Sequence, residues 1–228
     1  MNQSFTTLPP RVIFYGGTGQ AKVVRPIVEH YGARVVAIFD DTLGVSSPFP
    51  DVEIYQGWAA FETWLTTQNL QGLGFCVTIG NPHGRTRLNL HKRLVEAGLG
   101  PVTAVHPTAY IERNATIGEG SQILAGAIIG AEACLGRQCI VNTRASVDHE
   151  DVLCDGVEVA PGATLCGSVH LEINAWIGAG ATVLPRIRIG ADSVVGAGAV
   201  VTRDVPSGVT VAGVPARVIV HRRAGKKE

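Results

Sequence analysis

From Ile111 to Val201 every sixth residue is Ile, Leu or Val, sixteen positions without a failure. The residue two places earlier is mostly small, as at Ala109, Ala115, Ser121, Ala127, Ala133 and Cys139. An α-helix repeats at 3.6 residues and a strand at 2, so neither produces a period of six. Short straight runs joined by tight corners do, with three hexads closing one triangular turn of about 18 residues. The series predicts about five turns of a parallel β-helix, with aliphatic and small residues alternating inward. Glycines directly after the aliphatic, at Gly118, Gly130, Gly136, Gly178, Gly190 and Gly196, fit corners where a side chain would clash. An aromatic content of only 6% agrees, because Phe or Trp would overfill so narrow a prism.

The first 105 residues follow a different pattern. Strand-like runs at Arg11 to Tyr15, Arg34 to Phe39, Leu73 to Ile79 and Val102 to Val105 alternate with helix-like spacing at Gln20 to Tyr31, Trp58 to Leu70 and Arg85 to Leu99. That alternation implies a small parallel α/β sheet. The loop GGTGQA after the first strand, with Asp40 about 20 residues on, is similar to a dinucleotide fingerprint, although Lys22 stands where its third glycine belongs. Backbone N–H groups at a helix start suit a diphosphate, and Asp oxygens suit ribose or base donors.

Composition narrows the function. Nineteen basic against nineteen acidic residues give a formal net charge of zero, which argues against nucleic-acid or membrane-surface binding. The apolar runs are far shorter than a membrane span, and MNQSFTTLPP shows no secretory pattern, so the cytoplasm is the expected compartment. Five cysteines without paired short spacings read as free buried thiols rather than a disulfide or zinc framework, and Cys154 and Cys166 as packing residues. The basic HRRAGKKE reads as a short solvated tail.

One stretch breaks the apolar repeat: ASVDHEDV, Ala145 to Val152. Val147 points inward, so His149, two residues later, belongs at an outer corner with Glu150 beside it. An imidazole accepts a proton near neutral pH, and a neighbouring carboxylate favours the imidazolium and fixes the ring tautomer. Asp148 and Asp151 read as solvated neighbours. A γ-class carbonic anhydrase needs three His ligands for its metal, whereas the repeat supplies only His149 and His170.

The hexads IGAGAT and VGAGAV, followed by DVPSGVTVAGVPARVI, resemble the left-handed β-helix of hexapeptide acyltransferases. Together with YGGTGQAKVV, FDD and TIGNP, they are similar to the sugar-nucleotide N-acetyltransferases, bacillosamine and perosamine types among them, and to sialic-acid O-acetyltransferase-like proteins of bacterial surface-glycan pathways. The resemblance implies a Rossmann-like nucleotide-sugar-binding domain over residues 1–105 and a left-handed β-helix acetyltransferase domain with a C-terminal tail over residues 106–228. It implies acetyl transfer from acetyl-CoA, without a metal, to the amino group of a nucleotide-linked amino sugar; the flat outer faces of the prism, and a coenzyme groove that needs two walls, predict a homotrimer with sites between subunits. His149 would be the base, supported by Glu150, with Asn142 a polar site residue. Gly167, Ala179 and Ala197 would flank the coenzyme, and Thr18, Gly19, Gln20, Asp40, Asp41 and Gly80 the nucleotide sugar. Glu158 stands where the family carries a second His against the acyl end of the coenzyme, and a carboxylate cannot donate to a thioester carbonyl unless protonated. The alternatives are sugar O-acetylation of the sialic-acid type and a non-catalytic nucleotide-sugar-binding protein.

Overall fold

The computed structural model describes residues 5–80 and 82–221. The readings of the extreme N-terminus and the basic tail fall largely on residues 1–4 and 222–228, outside the described residues. Strands β1 (Arg11–Tyr15), β2 (Arg34–Asp40), β3 (Ile54–Gln56), β4 (Leu73–Val77) and β5 (Gly100–Pro101) form one parallel sheet in the order β3-β2-β1-β4-β5. Its central strand is covered on both sides, which explains why RVIFY is almost continuously apolar. Val12 and Phe14 pack with Val24, Ile27 and Val28 of α1 (Gly19–His30). Ile13 and Tyr15 face Phe61 of α2 (Gly57–Leu65) and Leu90 and Leu94 of α3 (Gly84–Glu96).

Strand β4 ends at Val77 rather than Ile79, and three elements differ from the sequence expectation by more than two residues, each for a local reason. Helix α2 stops at Leu65 rather than Leu70, because the Thr66 and Thr67 hydroxyls donate to Thr63 O and Trp64 O and compete with the backbone ladder. Helix α3 ends at Glu96: Gly98 turns with φ +89°, and the N–H of Leu99 reaches back to Leu94 O. Val102 to Val105 is not a strand of this sheet. Gly100–Pro101 closes the sheet on β4, and Ala104–Val105 pairs instead with Gln122–Ile123. The hexad series therefore starts one step earlier than expected, at Val105. Edge strand β3 was invisible to periodicity because it is only three residues long.

Beyond Val102 the chain winds as a three-sided parallel prism. Face I contains Ala104–Val105, Gln122–Ile123, Ile140–Val141, Glu158–Val159, Trp176–Ile177 and Val194–Val195, and is capped by the hairpin Val209–Ala212 and Arg217–His221. Face II runs from Tyr110–Ile111 to Val200–Val201, and face III from Thr116–Ile117 to Arg188–Ile189. Successive strands of a face are 18 residues apart, as Ile140↔Glu158↔Trp176 shows. From Ile117 onward the hexad aliphatics are buried, and most of them are fully inaccessible. The glycines singled out behave as expected: a Cβ on Gly130 would lie 2.8 Å from the Asp148 carbonyl carbon one turn on, and one on Gly178 2.6 Å from Val195 O.

The sheet domain sits on face I. Gln122 of that face donates to Val77 O at 2.7 Å and accepts from Gln20 at 2.6 Å. Gly84, at the start of α3, packs backbone to backbone: a Cβ there would collide with Gly156 O and the Asn174 side chain.

Candidate functional site

Two separate places carry the chemistry. The first is a cavity of about 500 Å³ at the C-terminal ends of β1, β2 and β4. Thr18, Gly19, Gln20, Asp40, Asp41 and Gly80 all line it, so residues far apart in sequence and chosen for one ligand do meet in one place. Tyr15, Thr42, His83 and Thr86 line it too and were not anticipated. Asp40 accepts from Gly17 N at 2.6 Å and from Thr42 N at 2.8 Å, so it holds the glycine loop against the strand ends. Asp41 accepts from the Tyr15 hydroxyl at 2.6 Å, and burial together with that carboxylate pushes the phenol far above its usual range. The first turn of α1 has no side-chain cap, which leaves its N–H groups available to an anion at the cavity wall.

The second place is the edge between faces II and III. His149 and Glu150 form an exposed corner, with His149 Nδ1 3.1 Å from Glu150 Oε2. Ser168, one turn on, donates to the same Glu150 oxygen at 3.3 Å, and its N–H donates to His149 O at 2.9 Å. The corner turn forces Glu150 to φ +58°, a conformation an L-residue adopts at some cost. Gly167 lies directly under the imidazole: a Cβ there would be 2.7 Å from Nε2 and 2.8 Å from Cε1. With Nδ1 turned to Glu150, Nε2 is left without a hydrogen-bond partner among the described residues, beside the Gly167 backbone. Gly167 N–H donates to no acceptor among the described residues.

Asp151 corrects an expectation. It is not solvated but fully buried inside the prism, accepting from Asp148 N at 2.7 Å and from Val169 N at 2.8 Å. The signal was present in the sequence, because Asp151 stands two places before Leu153 and thus occupies an inward small-residue position. Burial raises its carboxyl from 3.8 to about 6, against the hydrogen bonds from the Val169 and Asp148 N–H groups, which lower it; the Asp148 charge adds a smaller rise and His149 opposes it. A rise of that size costs the ionised form on the order of 3 kcal/mol. The raised group favours the folded state fully below the unfolded value near 4, and that contribution is lost as pH climbs through 6. The melting temperature of Asp151→Ala relative to wild type should therefore shift in the variant's favour between pH 4 and pH 7, as thermal unfolding at the two pH values would measure.

The other expected residues scatter. Asn142, Ala179 and Ala197 lie on the edge between faces I and II, with Asn142 half-buried and the two alanines exposed. Glu158 does not reach solvent, as a coenzyme contact must. It is 4% exposed on face I, with Oε2 3.7 Å from Nη1 of the equally buried Arg87. Arg87, a helix residue that no sequence motif marked, also donates to Gln138 O and Gly156 O on two successive turns and to Ile79 O beside the cavity. Burial pulls its guanidinium below the usual range, and Glu158 opposes the shift. The thiols are only partly buried: Cys76 and Cys139 are enclosed, Cys154 and Cys166 are half-buried, and Cys134 is exposed. Burial pushes Cys154 and Cys166 up, away from thiolate reactivity. Among the described residues, no helix is long and apolar enough to cross a membrane.

Residues 168–203 match the family described as bacterial transferase hexapeptide (six repeats). GDP-perosamine N-acetyltransferase of Escherichia coli is 36% identical over 148 residues, a stretch that covers 63% of this chain and 66% of that protein's length. Among solved structures, PerB from Caulobacter crescentus in complex with CoA and GDP-perosamine is 36% identical with a TM-score of 0.81, covering 92% of this chain and 97% of that one. The acetyltransferase domain of PglB from Neisseria gonorrhoeae in complex with acetyl coenzyme A is 28% identical with a TM-score of 0.81, covering 92% and 99%. The repeat match, the parallel faces and these neighbours fit a left-handed β-helix. At 36% identity to PerB over nearly the full length of both chains, the protein belongs to the hexapeptide-repeat sugar-nucleotide N-acetyltransferases.

Proposed function

We propose that this protein transfers the acetyl group of acetyl-CoA to the amino group of a nucleotide-linked amino sugar. The observation that carries the reading is the His149 corner: an exposed imidazole tied at Nδ1 to a carboxylate, with Nε2 free above Gly167. The amine attacks the thioester carbon while Nε2 takes its proton; the carbon–sulfur bond then breaks, and the thiolate leaves with the proton from the imidazolium. The Gly167 N–H, which has no acceptor among the described residues and stands beside the imidazole, is the donor we assign to the developing negative charge on the carbonyl oxygen, a role Glu158 cannot fill from its buried position. PerB holds CoA and GDP-perosamine together, which supports both the acyl donor and the class of acceptor.

The strand order supports reading residues 1–105 as a Rossmann-like unit that binds the nucleotide, and residues 106–228 as the acetyltransferase unit, with the junction near Thr103. The sheet domain covers face I, whereas His149 stands on the edge between the two other faces. A cavity and a base so placed come together across a subunit boundary, and exposed Tyr110 and Ile128 on face II offer an apolar contact for it. We therefore propose a homotrimer with sites between subunits. Sedimentation should give a trimer, and a monomer at micromolar concentration would refute the assembly. Thiol release from acetyl-CoA, measured with a panel of GDP-, UDP- and dTDP-linked amino sugars and their hydroxyl counterparts, should be strong for one amine and weak for its hydroxyl analogue. No acceptor-dependent release with any of them would overturn the proposed activity.

A further inference from the structure

The corners between faces II and III share one backbone bond that ties each turn to the next. Glu112 N donates to Ile129 O, Gly130 N to Val147 O, Cys166 N to Val183 O and Leu184 N to Val201 O, at 2.8–3.1 Å. At the corner bearing His149 the corresponding bond, Asp148 N to Leu165 O, is not formed among the described residues. Asp148 N is turned inward to Asp151 Oδ2 instead, while Asp151 Oδ1 holds Val169 N on the next turn. Elsewhere on this edge the inward place is held by Ala115, Ala133, Val169 and Ile187, none of which has a side-chain acceptor. The departure from the repeat thus coincides with the buried carboxylate and with the only corner of this edge that bears a histidine.

We propose that Asp151 is a positioning residue that pulls the Asp148 backbone out of the turn-to-turn ladder and so aims the His149 ring over Gly167. The inference rests on the reading of His149 as the base. A carboxylate accepts from both N–H groups at once; once protonated, one of its oxygens carries a donor and the clamp fails. The titratable groups around it are Asp148 and His149 on its own corner and Cys166 on the next turn. With its carboxyl raised to about 6, the clamp opens over the same pH range in which an imidazole gains a proton. The acid limb of activity in wild type therefore reports the loss of two protons.

The test compares wild type, Asp151→Ala, the isosteric Asp151→Asn and His149→Ala, using kcat, KM for acetyl-CoA and the pH profile of kcat/KM. Alanine recreates the corner found at Ala133, so Asp151→Ala should fold, keep its KM for acetyl-CoA and lose about 10- to 100-fold in kcat, the scale of a misplaced catalytic group. Its acid limb should be one proton less steep than that of wild type. Ionisation of the substrate ammonium contributes equally to both profiles and cancels in the comparison. Asp151→Asn keeps the volume but offers an acceptor to only one N–H, so it should show the same loss of steepness. A crystal structure of Asp151→Ala should show the Asp148 N to Leu165 O bond restored. Wild-type kcat and steepness in both Asp151 variants, alongside an inactive His149→Ala, would overturn the positioning role alone. An active His149→Ala would overturn the assignment of the base, and with it the positioning role that depends on it.

Discussion

His149→Ala is expected to lower kcat by about 10²- to 10⁴-fold while leaving coenzyme A affinity nearly unchanged, because a positioned proton acceptor contributes that much to the transition state and not to ground-state binding. Glu150→Gln should cost less: it removes the charge 3.1 Å from Nδ1 but leaves the ring in place and an oxygen to accept from it. Gly167→Ala should resemble His149→Ala although it removes no ionisable group, because the added methyl would occupy the space of the imidazole. Steady-state kinetics on the three variants separates these effects. A His149→Ala enzyme with wild-type kcat and a raised KM would show that the ring only binds, and the base would have to be sought elsewhere.

Arg87→Ala is expected to destabilise the fold by about 3–5 kcal/mol, the usual cost of removing one partner from a buried ion pair. The buried guanidinium faces Glu158 and carries hydrogen bonds to four backbone carbonyls, those of Ile79, Gly80, Gln138 and Gly156, so the loss falls on all of them together. For a chain of this length that corresponds to a fall of roughly 10 °C in melting temperature. Arg87→Met combined with Glu158→Leu should recover much of the loss, since a well-packed apolar pair can replace a buried charge pair at little cost. Thermal unfolding of the single and double variants measures both. A melting temperature within a degree of wild type for Arg87→Ala would show that the pair contributes nothing to the seating of the two halves.

The prism was legible because its constraint is one-dimensional: each turn meets only its neighbours, so the period of the inward residues writes the fold directly into the chain. His149 and the residues around the cavity were legible through local motifs. What escaped lay where that single dimension meets another. Arg87 is one polar residue in an amphipathic helix until face I closes over it. Glu158 looked like a substituted catalytic residue until Arg87 appeared opposite. Asp151 was misread for another reason: its place in the hexad pattern was correct for a buried residue, but its charge argued for solvent, and position outweighed chemical type. The start of the prism was placed one hexad late because two residues with no pairing partner in view read equally well as the end of the preceding sheet.

Arg87 touches Gln138 and Gly156, which mark the start and finish of a single 18-residue circuit, and His149 lies on that circuit. The prism therefore works as a ruler on which the docking of the first domain and the histidine are engraved at the same height. Lengthening the ruler by a whole circuit after Val183 would add about 5 Å to its far end and move neither mark. The same insertion between Gly156 and Gly167 would slide a new rung beneath the imidazole and take Gly167 away from it, while the fold accepted both insertions alike.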